Sequence, residues 1–352
     1  MLNRSRVRAF TGPGAEQKAD RVGHWFKALA GQEAAKAWCI ENGVGLTKAT
    51  NESGNVPGGF LAPQDYDAAM IRVVETLGAF RQGADIRPTG SDGQVRPRRV
   101  GGLTANFVAE GAPIPESNFL LDAVETAQKG LKILARGSTE LLEDSAPDLA
   151  EFVTTEMGYA FAGREDDAGF NGDGSSSFYG ISGLATKLAG LKSSVAAAAG
   201  HNTFATLDTN DISNLMGGVL ATAIPGACWY VSATGYALTI CRLASVSGGL
   251  VATQRPDGRI DANYLGFPVR FSGKFSDVST SLTGKAMLYF GNLAMSSAIV
   301  ERQQQMVIAL SLDRALDTNQ FLIRGVRRLD IVNHTIGDAN TRGPMAMLVG
   351  TA

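Results

Sequence analysis

The longest continuous apolar pattern of the chain lies between Ser138 and Gly174. Leu149, Phe152, Val153, Met157, Ala160 and Phe161 recur at a spacing that lines one face of a helix. Ser145 supplies an N-cap, Pro147 suits the first turn, and Asp148 sits where a capping-box acid would sit. Gly169, Gly172 and Gly174 provide the stop. The pattern predicts one helix of roughly 20 residues within 147–170, about 30 Å long at 1.5 Å per residue. Ahead of it, Ala15 to Ile40 is also helical, with Val22, Trp25, Phe26 and Leu29 on one face and a break at Gly31. That stretch predicts a small packed helical hairpin. Residues 46–58 are polar and turn-rich, a linker, and a further helix runs through Ile71, Val74 and Leu77.

Strand patterns fill much of the rest. Gln94–Val100 and Leu103–Val108, joined around Gly101-Gly102, predict a β-hairpin. It has few large apolar residues, so it buries little against its own domain and either stays mobile or packs on a neighbour. Phe119 to Ser138 alternates through Val124, Thr126, Leu131, Ile133 and Ala135, predicting strands that feed the long helix. Leu207 to Ile224 reads as a helix capped by Asp208 to Asp211, with Ile212, Leu215, Met216, Val219 and Leu220 inward. Trp229-Tyr230-Val231 reads as a buried strand and Tyr236 to Leu243 as a short helix. The mixture predicts an α+β fold.

At 352 residues and 44% hydrophobic, the chain can bury a large core and form two domains. No apolar run is long enough to span a membrane. Arg4, Arg6 and Arg8 are followed by polar residues, which is not the pattern of a secretory signal. Cys39, Cys228 and Cys241 lack pair spacing and read as reduced, buried thiols. Net charge is −2, yet residues 1–58 hold eight Lys/Arg against five Asp/Glu. A body this close to neutral argues against a dedicated nucleic-acid reader and leaves room only for a weak, sequence-blind contact through the basic N-terminal segment.

Enzyme chemistry finds no foothold. His24, His201 and His334 are far apart in sequence and sit beside no nucleophile motif. Ser281-Leu282-Thr283-Gly284-Lys285 ends like a phosphate loop, but the opening Gly is missing and Ala286 stands where the metal-binding hydroxyl would be. Glu165, Asp166, Asp167, Asn171 and Asp173 could group around a divalent cation, yet they lack the alternation and closing Glu of a calcium loop. A solvated or Arg-paired helix end is the preferred reading. No catalytic residue, cofactor or metal site is expected.

An ordered set of phrases resembles the tailed-phage major capsid proteins of the Hong Kong 97-type fold. Gly58-Gly59-Phe60-Leu61-Ala62-Pro63 is similar to the opening of that family's N-terminal arm, and Val108-Ala109-Glu110-Gly111-Ala112-Pro113-Ile114-Pro115-Glu116-Ser117 follows its extended loop. Glu140-Leu141-Leu142-Glu143-Asp144-Ser145, Arg164-Glu165-Asp166, Asn171-Gly172-Asp173-Gly174 and Tyr179-Gly180-Ile181 resemble its spine-helix region. Leu265-Gly266-Phe267-Pro268-Val269, residues 286–303 (with Asn292 for the usual Asp) and residues 319–331 with Arg324, Arg327 and Arg328 complete the set.

The resemblance implies a helical segment and linker over 1–57, an N-arm over 58–84 and an extended loop over 85–117. It implies a peripheral domain over 118–224 containing the spine helix, an axial domain over about 225–310, and closing peripheral strands over 311–352. It further implies self-assembly into hexamers and pentamers of an icosahedral head enclosing double-stranded DNA, in a virion assembled in the host cytoplasm. Scaffolding, portal and decoration proteins are further expected partners, and no membrane is involved. The alternative is an encapsulin-like compartment shell. Assembly contacts are expected at Arg96, Arg98, Arg99 and Glu110 of the loop and at Glu140, Glu143, Asp144 and Glu165 of the spine. Some relatives cross-link a loop lysine to a neighbour's asparagine; residues 85–109 contain no lysine, so non-covalent contacts must serve. Many relatives also carry a long N-terminal scaffolding segment that is cleaved off, for which the residues before Gly58 are few.

Overall fold

The predicted long helix forms the strut of the fold. The computed structural model describes residues 8–46, 60–91, 93–101, 105–108, 113–118, 120–138, 146–247, 252–254, 260–277, 280–302, 306–311 and 320–352. Helices α1 (Ala15–Leu29) and α2 (Glu33–Glu41) come first, then β1 (Phe60–Leu61), α3 (Gln64–Leu77), α4 (Ala79–Gly83) and β2 (Asp85–Thr89). β3 (Gly93–Gly101), β4 (Leu120–Ala127) and β5 (Lys129–Ser138) lead to the long α5 (Ala146–Asn171). Next are α6 (Leu184–Leu188), β6 (Ser194–Ala196), α7 (Thr209–Gly217), β7 (Cys228–Val231), β8 (Ala252–Gln254), β9 (Ile260–Tyr264) and β10 (Phe267–Phe271). β11 (Ala286–Gly291), β12 (Ser297–Arg302), β13 (Val307–Ser311), β14 (Gln320–Asn333) and β15 (Met345–Val349) close the order.

Among the described residues, two large sheets form. The first runs β1-β13-β14-β12-β2, with β5 along the other edge of β14. The second runs β6-β15-β11-β7-β10-β9-β8. β3 and β4 make a two-stranded sheet of their own. One core lies between α1, α2, α3, α5 and the first sheet, another is built on the second sheet with α7, and a third, centred on Phe80, Phe170, Tyr230 and Tyr289, joins the two. Phe170 stacks edge-on against Phe80 at 5.1 Å and Phe275 at 4.6 Å, so the end of α5 ties the two sheets together.

Helix α5 buries Leu149, Val153, Met157 and Phe161 as its stripe predicts, but Phe152 and Ala160 face outward. A second buried row, Ala150, Thr154, Gly158 and Ala162, replaces them. These small residues let α3 approach closely: a Cβ on Gly158 would lie 2.4 Å from Val73 Cγ1. Gly169 does not end the helix. It lies inside it because Phe80 occupies the space a Cβ would need, at 2.4 Å. The capping residue Ser145 lies outside the described residues.

Packing refines other expectations. α1 and α2 pack on each other as the predicted hairpin, and α1 also turns Val22, Trp25 and Phe26 onto α3 and α5. The partner of β3 is β4, not residues 103–108; residues 105–108 form no strand and belong to the long connection between the two strands. The predicted 207–224 helix stops at Gly217, and the predicted 236–243 helix is a wider π-type turn over Tyr236–Cys241 followed by Arg242–Ser247. Neighbouring stretches of the chain contribute to different sheets. β12 and most of β13, within 225–310, belong to the first sheet, whereas β15, within 311–352, sits inside the second. The reason is that strands distant in sequence interleave, so each sheet draws on several chain segments.

Candidate assembly surfaces

The β3–β4 hairpin exposes much of what it carries. Its register runs from Gly93 opposite Ala127 to Gly101 opposite Leu120, with a shift between Arg99 and Gly101. Val95 and Leu121 are largely exposed, and in the connection Phe107 stands wholly in solvent with Ile114 at 77% exposure. Helix α5 adds exposed Phe152 and Tyr159 on its outer side. Contiguous exposed apolar patches, rather than single side chains, are what mark an interaction surface.

Arg98 does not project freely from the hairpin. It donates Nε at 3.1 Å and Nη2 at 2.8 Å to Asp122 Oδ2 across the strand pair, and Nη1 to the carbonyl of His334 just after β14. The Ala123 N–H and the Arg98 guanidinium hold Asp122 below the usual carboxylate range. Arg98 thus ties the hairpin to its own subunit. Arg96 and Arg99 lie on β3 opposite Val124 and Leu121. Glu110, Glu140, Glu143 and Asp144 lie outside the described residues.

Glu165 requires a correction. It is 1% exposed and unavailable to a neighbour. Its oxygens receive Arg81 Nη1 at 3.4 and 3.2 Å, with Arg327 Nη1 3.8 Å away. Arg81 and Arg327 each also donate to Glu301, so two buried guanidiniums from α4 and β14 bracket two carboxylates from α5 and β12. Burial alone would raise the Glu301 carboxyl, but Arg327 and Arg81 outweigh it and hold the group below its ordinary value. Asp166 accepts the Ala79 and Phe80 N–H groups at the start of α4, at 3.2 and 2.9 Å, and the Ser272 hydroxyl at 2.6 Å. Burial pushes its carboxyl up to about 6. Thus, of the two alternatives for this helix end, solvated or Arg-paired, Glu165 takes the Arg-paired one, and both it and Asp166 are buried.

A cleft of about 860 Å³ opens beside this network between α3 and the first sheet. Lys132, Arg302, Arg324 and Arg328 line it, along with Asp67, whose carboxyl burial lifts to about 7. Asp67 accepts the Met306 N–H at 3.2 Å. Among the described residues, His201, Asp208 and Asp211 are close enough together to hold a metal. Their oxygens are engaged in a capping box: Asp208 takes the Asp211 N–H, while Asp211 takes the N–H groups of Asp208 and Ala198. His201 Nδ1 lies 2.6 Å from Asp211. The group braces the start of α7.

Residues 58–333 match the phage capsid family. The chain belongs to that family. This capsid protein is a structural component of the virion shell. No curated protein sequence matches it. Its fold is similar to the capsid of an empty GTA particle (17% identity, TM-score 0.56, covering 89% of this chain and 98% of that one). It is also similar to a protein of Mycobacterium phage Adephagia (17%, TM-score 0.53, covering 78% and 91%) and to a holo encapsulin complex from Synechococcus elongatus (13%, TM-score 0.50, covering 86% and 92%). The buried Arg81–Glu165–Glu301–Arg327 group was not anticipated from the capsid protein's sequence. A signal was present, since Glu165 falls four residues after Phe161 and continues the apolar row.

Proposed function

We propose that this chain is the major capsid protein of a tailed phage, assembling into hexamers and pentamers of an icosahedral head around double-stranded DNA. The observation that carries the reading is the family match across 58–333 on a chain whose hairpin and connecting loop leave Val95, Phe107, Ile114 and Leu121 without cover. In this reading β1, α3 and α4 are the N-arm and residues 85–117 the extended loop. The first sheet with α5 serves as the peripheral domain and the second sheet as the axial domain. Each loop laid over a neighbour adds part of a specific contact, which buries about 1,600 Å² in total. Several weak contacts per subunit then sum by multivalency. Contact with packaged DNA is weak and sequence-independent, through phosphates and basic side chains. Scaffolding, portal and decoration proteins would be met in the host cytoplasm during assembly.

Negative-stain electron microscopy of the expressed protein beside size-exclusion light scattering tests this. Closed shells, or free hexamers and pentamers, support it. A homogeneous monomer or dimer that stays so when co-expressed with the neighbouring viral genes would overturn it. Shells that load a folded cellular enzyme instead of DNA would favour the compartment reading.

A further inference from the structure

Residues 8–46 lie ahead of the family match, yet they are built into the first core. Val22, Trp25 and Cys39 are fully buried and Phe26 is 1% exposed. The Phe26 and Trp25 rings meet Tyr66 of α3 at 5.5 and 6.4 Å, and Val73, Leu149 and Val153 complete the same cluster. Polar anchors surround this apolar centre. Glu151 of α5 accepts the N–H groups of Ala9 at 2.6 Å and Phe10 at 3.2 Å. Arg72 of α3 donates to the carbonyls of Arg8, at 2.6 Å, and Ala9. Arg21 of α1 reaches Asp65 at 3.3 Å. An apolar centre ringed by directed polar contacts is the anatomy of a specific interface between two bodies. Here one body is the α1–α2 unit and the other is the seam between α3 and α5.

We infer that residues 8–46 are a permanent part of the subunit, held non-covalently on the α3–α5 seam, and not a detachable scaffold. Their departure would bare Trp25 and Phe26 on one side and Tyr66, Val73 and Leu149 on the other, while Glu151 and Arg72 would lose their backbone partners. If the chain is a shell subunit, assembly proceeds with this segment in place. The seam itself rests on packing alone and does not depend on that reading.

The test replaces part of residues 48–55 with the recognition sequence of a site-specific protease, cuts the purified chain, and follows it by size exclusion and intact mass. The two pieces are expected to co-elute as one folded body and to part only in denaturant. Adding Trp25→Ala and Phe26→Ala to the cuttable chain is expected to release the smaller piece on cutting. A small piece that leaves the unsubstituted chain, with the larger piece still folded and soluble, would overturn the inference. As a second measurement, subunits from shells made with the neighbouring viral genes are expected to have a mass that includes residues 8–46. A chain beginning near residue 58 in those shells would likewise overturn it. If no shells form, the proposed function fails while the cutting test still decides this point.

Discussion

Replacing Arg81 by Leu tests the buried ion group directly. The Arg81 side chain is 1% exposed and the Glu165 side chain fully buried. Leu would fill part of the volume but remove both Arg81 hydrogen bonds to Glu165 and the Arg81 contact to Glu301. Glu301 keeps Arg327, whereas Glu165 is left with Arg327 Nη1 at 3.8 Å, beyond hydrogen-bond reach. Removing one partner of a buried pair costs about 3–5 kcal/mol, mostly because the remaining charge stays dry and uncompensated. Urea unfolding of the unassembled subunit, followed by tryptophan fluorescence, reads this as a lowered midpoint at unchanged slope. The double variant Arg81→Leu with Glu165→Leu removes the stranded charge and is expected to be more stable than Arg81→Leu alone. The reasoning fails if Arg81→Leu costs less than about 1 kcal/mol, or if the double variant is the less stable of the two.

Other outcomes follow from single sites. The Asp67 carboxyl lies near 7 in the folded chain against 3.8 as its ordinary value, so the folded chain holds a proton the unfolded chain has released across that window. Its contribution therefore falls as pH rises through the window, and Asp67→Asn, which keeps an acceptor for Met306, should flatten the loss of stability between about pH 4 and 7; equal slopes would place this carboxylate in water. Gly158→Val forces a Cβ against Val73 and is expected to cost at least 1–3 kcal/mol, seen as a lowered melting temperature. Asp208→Ala removes the cap of α7 and should cost about 0.5–2 kcal/mol in the same assay. Phe107→Ser with Ile114→Ser should leave subunit melting unchanged while lowering shell yield by electron microscopy. Undiminished shells would take these side chains out of the assembly contacts.

What could be read from the sequence was what neighbouring residues decide among themselves. The stripes of α1 and α5, the buried run Trp229-Tyr230-Val231 and the Asp208–Asp211 cap all depend on spacings of a few residues, and each appears in the fold. The hairpin misled because residues 103–108 alternate as well as a strand does; what selects β4 is a register made across a long connection, which pattern alone does not set. The ion group was hidden for a similar reason. Its members come from α4, α5, β12 and β14, and a Glu on an apolar row is ordinarily taken for a surface residue. Phe152 and Ala160 faced outward because α3 demanded a row of small residues, a requirement that belongs to the partner helix rather than to α5.

The interleaving of the two sheets has a consequence for how the chain is made. β6 pairs with β15, and β15 alone links β6 to β11, so Ser194–Ala196 emerges from the ribosome long before its partner at 345–349 exists. At 5–20 residues per second the wait is on the order of ten seconds. The first sheet is delayed in the same way, because β5, β12 and β13 all pair with β14. A nascent chain therefore cannot present a finished subunit part-way through synthesis. Translation itself acts as a timer, withholding assembly-competent surfaces until the last strands arrive.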